Sequence, residues 1–159
     1  MIDSICEDGF TISFYPRNSP APTLWLQKDY SPTHSRVLHM LDTLEGKYYR
    51  CGMDNLFISA EFLCGAFVDC SSKVMIHGVC RKQGRGLPSC VYQEDVKDPS
   101  SNKAQMLRGT TKAAVLVGDE HCKDLVSFSV YDVKPVYFMS MAAENLNWKV
   151  KAVSYTHLT

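Results

Sequence analysis

The sequence lacks several features that would assign it to a specialised class of protein. Its 17 lysines and arginines balance its 17 aspartates and glutamates, so no overall basic field indicates a nucleic-acid-binding protein. No apolar run is long enough to cross a bilayer, and we therefore expect no membrane partner. Neither a P-loop nor a Cys-x-x-Cys pair occurs, and the chain has no internal repeat.

What is present is typical of one globular domain, with 159 residues of which 45% are hydrophobic and 21% charged. The seven cysteines are odd in number, which favours thiols in an intracellular reducing compartment over a disulfide framework. A zinc site built from Cys64, Cys70, His77 and Cys80 fits no established ligand spacing. Buried thiols are the better interpretation of these cysteines.

The hydrophobic periodicity predicts a β-rich α/β domain in which helices are inserted between groups of strands. Helices are expected after Ser31-Pro32 and after Ser59, each of which carries an N-cap signal. His77 lies inside an apolar strand, where a satisfied core histidine is the expected interpretation. Strands are expected at residues 9–15, 48–53, 73–79, 111–117, 125–131 and 136–141.

Asp54 is the first candidate for a chemical role, because it directly follows a strand and precedes a helix. The carboxyl ends of strands open into crevices where active-site acids are often placed. Glu144 repeats this pattern after the apolar run at residues 136–143, and Asp119 and Asp132 also lie at strand ends. Two such acids brought together would suit Mg²⁺, which prefers oxygen ligands. Two unrelated solvent-facing acids remain the alternative.

The concentrated basic stretch is RKQGRGLP, from Arg81 to Pro88. Its two glycines permit close backbone approach, and its cations, Arg81, Lys82 and Arg85, are suited to phosphate groups. A solvated turn is the alternative interpretation of the same residues.

Five segments in order resemble PiggyBac-type transposases, which are DDE-class enzymes with an RNase H-like fold. Asp54-Asn55-Leu56-Phe57 with Ser59 resembles the family's D-N-x-[FY]-x-S motif. The other matching segments are residues 9–15, 77–88, 103–109 and 125–140. The phrases CGMDNL and YDVKPV are similar to a divergent algal or protist branch. The resemblance therefore implies an RNase H-like mixed sheet with flanking helices, in an incomplete domain.

The resemblance also implies site residues and partners. Asp54 matches the family's first metal-binding aspartate, and Glu144 is chosen for the second although the family has Asp there. Asp3 is an alternative strand acid. The implied cofactor is Mg²⁺, and the implied partner is double-stranded DNA, both transposon ends and target. Arg81, Lys82, Arg85 and Arg108 would contact its phosphates. A nuclear location and a possible homodimer follow from the same resemblance.

We expect residues 1–152 to form a partial catalytic domain, with residues 153–159 a non-native tail that resembles a translated sequencing adapter. The family's third aspartate would lie beyond Ala152, so we predict no Mg²⁺-dependent DNA nicking by residues 1–152. The leading interpretation is thus an inactive part of a transposase core, the domain that cleaves and transfers DNA strands. A domesticated, catalytically silent DNA-binding or interaction protein is one alternative, and an unrelated small α/β binding domain is another.

Overall fold

The computed structural model of the protein describes residues 2–7, 10–46, 48–93, 108–116 and 125–141. A short 3-10 helix spans Ser89–Val91. The helices are α1 (Thr23–Leu26), α2 (Pro32–Asp42) and α3 (Ala60–Asp69). The strands are β1 (Ile2–Glu7), β2 (Phe10–Pro16), β3 (Tyr49–Met53), β4 (Val74–Cys80), β5 (Thr111–Val115), β6 (Val126–Tyr131) and β7 (Pro135–Ser140).

The strands form two sheets. β1 and β2 pair as an antiparallel hairpin, and the other five strands form a sheet in the order β3-β4-β7-β6-β5. β3 and β4 are parallel because α3 connects them as a crossover, whereas all other pairs in this sheet are antiparallel. The predicted α/β fold, a mixed sheet with flanking helices, is confirmed.

The core lies between helices α2 and α3 and the β4 side of the five-stranded sheet. Each helix buries one apolar face, as expected for amphipathic helices, and β4 buries alternate residues. Fully burying a side chain such as Phe62 contributes about 1.5–3 kcal/mol. The residues with the least exposure include Leu38, Leu41, Phe62, Leu63, Ala66, Val74, Ile76 and Met139. No helix in the described ranges is long and apolar enough to cross a bilayer.

Two elements were not predicted, and two expectations need correction. The strand Ile2–Glu7 precedes the first predicted strand, and the short helix Thr23–Leu26 was not predicted at all. His77 is exposed because Val74 and Ile76 fill the buried face of β4 and His77 falls on the other one. Cys64 is disulfide-bonded, so the expectation of thiols throughout is wrong at this residue. Cys51, Cys70, Cys80 and Cys90 are free thiols.

Candidate functional site

Asp54 begins a tight turn between β3 and α3. Its Oδ1 accepts a hydrogen bond from the Leu56 N–H at 3.0 Å, and its main-chain oxygen accepts one from the Phe57 N–H at 3.1 Å. Ser59 then caps α3 by accepting from the Phe62 N–H at 3.2 Å. The predicted strand, turn and helix around Asp54 are confirmed. The carboxylate thus has a structural role in the turn, and the residue remains exposed.

The basic loop, residues 81–88, packs on the start of α3. The Ala60 N–H donates to the Arg85 main-chain oxygen at 3.0 Å. Gly86 has a φ of +80°, and a Cβ on it would lie 2.3 Å from the Ala60 Cβ. Only glycine combines this backbone conformation with this contact. The loop is therefore a fixed neighbour of the Asp54 turn rather than a freely solvated turn.

An open groove of about 370 Å³ lies where the basic loop meets the starts of α2 and α3. Ser31 and Ser59, the N-cap residues of the two helices, both line it, and so do Arg81 and Arg85. Helix N-termini carry a partial positive charge that favours anions. Two helix starts and two arginines therefore favour a negatively charged ligand in this groove, and the carboxylates of Asp29 and Glu61 on the same lining oppose it.

His34 lines the same groove and was not singled out by the sequence. Its ring stacks on Phe62 with centroids 4.3 Å apart. Burial lowers the pKa of His34, against the raising effects of a backbone hydrogen bond to Phe57 and of the Glu61 charge. The lowered pKa favours the neutral imidazole, whose hydrogen bond goes to the Phe57 backbone. The sequence could have indicated His34 as a residue of the groove, because it lies in the first turn of α2, after a Ser-Pro cap.

The four predicted phosphate-binding residues are all exposed, but they do not form one cluster. Arg81 and Arg85 line the groove, and Arg85 lies 4.0 Å from Glu61, a pair whose exposure leaves it weak. The ammonium of Lys82 lies over the Tyr92 ring, 5.9 Å from its centroid, outside the groove.

Arg108 lies at the same end of the sheet as the basic loop but on the β5 side. Its Nε donates to the Asp132 carboxylate, which places Asp132 in an ion pair. The neighbouring Gly109 N–H donates to the Tyr131 main-chain oxygen, which fixes this segment beside the β6–β7 turn. Arg108 is therefore a separate contact point on the same end of the sheet.

The second acid of the predicted pair, Glu144, lies outside the described residues, as does Asp119. β7 runs antiparallel to β4, and the Met141 N–H donates to the Ile76 oxygen at 2.9 Å. Since Ile76 pairs with Cys51, β7 runs away from Asp54 as it ends. Asp3 pairs with Tyr15 in the β1–β2 hairpin.

For the predicted Mg²⁺, two exposed carboxylates follow strands at this end of the described sheet, Asp54 after β3 and Asp132 after β6, and Asp132 is paired with Arg108. The Asp54 carboxylate is an exposed oxygen donor, which is the type that Mg²⁺ requires. Within the described ranges, no group of three or more histidines, cysteines, aspartates or glutamates is placed to hold a metal ion. The described residues therefore do not complete a magnesium site, and no metal-dependent step follows from them.

No protein-family model and no curated protein matches this chain. Among solved structures, the chain is similar to a piggyBac transposase in its synaptic complex with hairpin DNA. The TM-score is 0.61 at 19% sequence identity, over 91% of this chain and 27% of that transposase. The chain thus spans about a quarter of the transposase's length, and the likeness shows a shared fold.

Proposed function

We propose that the protein is part of the core of a DNA transposase, and that its groove binds the phosphates of double-stranded DNA. The observation that carries this proposal is the meeting of two helix N-termini and two arginines beside the Asp54 turn. The similarity of fold to a transposase in a DNA complex supports it, as does the order of the resembling motifs. A nuclear location and a homodimer belong to the same proposal.

The groove would bind the DNA backbone without reading its sequence. Arg81 and Arg85 supply charge, and the hydroxyl groups of Ser31 and Thr33 lie on the same lining. Contacts of this kind fix the position of a duplex but carry no base information. Lys82 and Arg108, at the same end of the sheet, would contact phosphates farther along the backbone.

A duplex-binding measurement tests this proposal directly. We expect the chain to bind a fluorescent duplex of random sequence, and Arg81→Gln with Arg85→Gln to weaken binding about tenfold. Arg50→Gln is the matched control, because it removes an exposed charge from the far half of β3. Absence of duplex binding, or equal losses in the double variant and the control, would contradict the proposal.

For Asp54 we propose the role of a Mg²⁺ ligand in the intact enzyme, where such an ion would stabilise charge on the transferred phosphate. Glu144 is the partner that the sequence favours and Asp3 the alternative. Water-proton relaxation measures Mn²⁺ binding directly and distinguishes Glu144 from Asp3 as the second ligand without an activity assay. We expect Asp54→Asn to weaken Mn²⁺ binding, and either Glu144→Gln or Asp3→Asn to weaken it equally. Unchanged binding in Asp54→Asn would exclude the role.

A silent DNA-binding derivative is the second candidate. It is favoured by the direction of β7, which runs away from Asp54 as it ends, and by the ion pair with Arg108 that engages Asp132, the other acid after a strand at this end. It predicts duplex binding of equal strength in EDTA and in Mg²⁺. A marked strengthening by Mg²⁺ that Asp54→Asn removes would favour the enzyme core instead.

A further inference from the structure

A second groove, of about 410 Å³, lies beside the first, between the end of β4 and the start of β7. Adjacent residues of the basic loop connect the two grooves, since Arg81 lines the first and Lys82 the second. The wall of the second groove includes the side chains of Val79, Val136 and Tyr137, with Lys82 and Lys134 as its cations. It is therefore an apolar recess with two positive charges.

This combination is unsuited to the outside of a paired duplex, which presents charged phosphates and sugars with the base faces stacked inside. An unpaired nucleotide presents both an apolar base face and a phosphate. Single-stranded sites in proteins combine cationic residues for the backbone with aromatic side chains on which bases stack. In this groove the aromatic residue is Tyr137, which is 4% exposed, so a base would lie mainly on the valines of the wall. A recess of this volume is in the size range of small-ligand sites.

Gln93 in the groove wall provides an independent observation, because its side chain is 0% exposed and only partly satisfied. Its Nε2 donates to the Thr110 oxygen and to the Ser129 Oγ, both at 2.9 Å. Ser129 itself donates to the Val91 oxygen at 2.6 Å, which fixes the orientation of the Gln93 amide. Its Oε1 finds no donor among the described residues. The edges of nucleobases carry N–H donors.

Val133 adds an apolar side chain beside this groove. It lies in the turn between β6 and β7, next to Lys134, and is 77% exposed. Proteins that distort DNA often insert an apolar side chain where bases are unstacked. Val133 is an exposed apolar side chain of this type, next in sequence to Lys134 of the groove.

We propose that the second groove binds one unpaired nucleotide of the bound DNA, with its base on the apolar wall and its phosphate between Lys82 and Lys134. This inference rests on the proposed duplex binding by the first groove. The class of ligand is therefore DNA with a single unpaired base, such as a one-nucleotide bulge.

The test compares a perfect duplex with the same duplex carrying one bulged 2-aminopurine. We expect the chain to bind the bulged duplex about tenfold more tightly, with a change in 2-aminopurine fluorescence as its base leaves the stack. Val79→Trp fills the groove from a side chain that is 38% exposed, so it leaves the core intact. This variant should bind the bulged and the perfect duplex equally, each with the affinity that the wild type has for the perfect duplex.

Lys134→Gln should reduce the preference for the bulge, and Arg50→Gln, a loss of equal charge at the other end of the sheet, should not change it. Equal affinity of the wild type for the two duplexes would overturn the inference and leave duplex binding standing. Preservation of the preference in Val79→Trp would overturn it as well. Absence of binding to either duplex would overturn both proposals.

Discussion

The two ends of the five-stranded sheet use their cations differently. At the end opposite Asp54, Lys73 donates to the Phe67 and Val68 oxygens at the end of α3. Lys28 pairs there with Asp69 at 2.9 Å, and the Tyr30 hydroxyl donates to the same carboxylate at 2.6 Å. At the Asp54 end, Arg81 is exposed and has no ion pair within the described ranges, while Arg85 and Arg108 form exposed pairs with Glu61 and Asp132.

The difference indicates which end serves the fold and which end serves a ligand. Cations that neutralise helix carbonyls and a partly buried carboxylate contribute to stability. Exposed cations held by a rigid loop contribute little to stability, and their charge stays available to an anion. Substitutions of the cations at the two ends should therefore separate into losses of stability and losses of affinity.

The largest loss of stability at the Asp54 end should come from Gly86→Ala. The new Cβ meets Ala60 and the residue keeps a positive φ, so we expect a loss of about 3 kcal/mol in urea unfolding. Gly109→Ala is the matched control, since Gly109 has a φ of +89° but open space around its Cβ position. That control should cost about 1–2 kcal/mol. Equal losses would show that the contact between loop and helix is unimportant.

At the opposite end, Tyr30→Phe should cost about 1.5 kcal/mol at pH 7, because it removes a hydrogen bond to a charged group. The Tyr30 hydrogen bond, with help from Lys28 and against partial burial, lowers the pKa of Asp69. A lowered pKa contributes stability above the ordinary value of 3.8 that is lost as pH falls through the folded-state pKa.

The difference in the free energy of unfolding between Tyr30→Phe and the wild type should therefore shrink as the pH is lowered below 3.8. Urea unfolding at several pH values measures this. Arg81→Gln is the control from the other end and should change stability by less than about 0.5 kcal/mol at any pH. If the difference in unfolding free energy between Tyr30→Phe and the wild type stays constant down to low pH, the charge of Asp69 is not its source.

The smallest expected effects concern the two helix starts at the groove. Ser59→Ala should lower the free energy of unfolding by about 1 kcal/mol, because it leaves the buried Phe62 N–H without its hydrogen-bond acceptor. Ser31→Ala should cost about 0.5 kcal/mol, because the His34 N–H lies in an exposed position that water satisfies. Thermal unfolding of both variants checks the order. The reverse order would show that burial does not decide the cost of these caps.

Much of this arrangement was predictable from local sequence. The turn at Asp54, the cap at Ser59 and the strands of the sheet follow from capping signals and hydrophobic period, which are local properties. The contact between Gly86 and Ala60 joins segments that α3 and β4 separate in sequence, so periodicity does not show it. The place of Arg108 away from the groove likewise depends on strand order.

Two expectations failed for different reasons. His77 was expected in the core because its neighbours are apolar, but a one-residue step in a strand reverses the face. The strand Ile2–Glu7 was missed because a short polar strand has little periodicity of its own, and its pairing with β2 stabilises it.

The salt dependence of duplex binding tests the central claim most directly. Each phosphate contact releases counterions and steepens the plot of log affinity against log salt concentration by about 0.9. We predict that replacing Arg81 and Arg85 together by glutamine makes this slope shallower by about 2, while Arg50→Gln leaves it unchanged. An identical slope in the wild type and the double variant would show that the groove at the Asp54 end does not hold the DNA backbone.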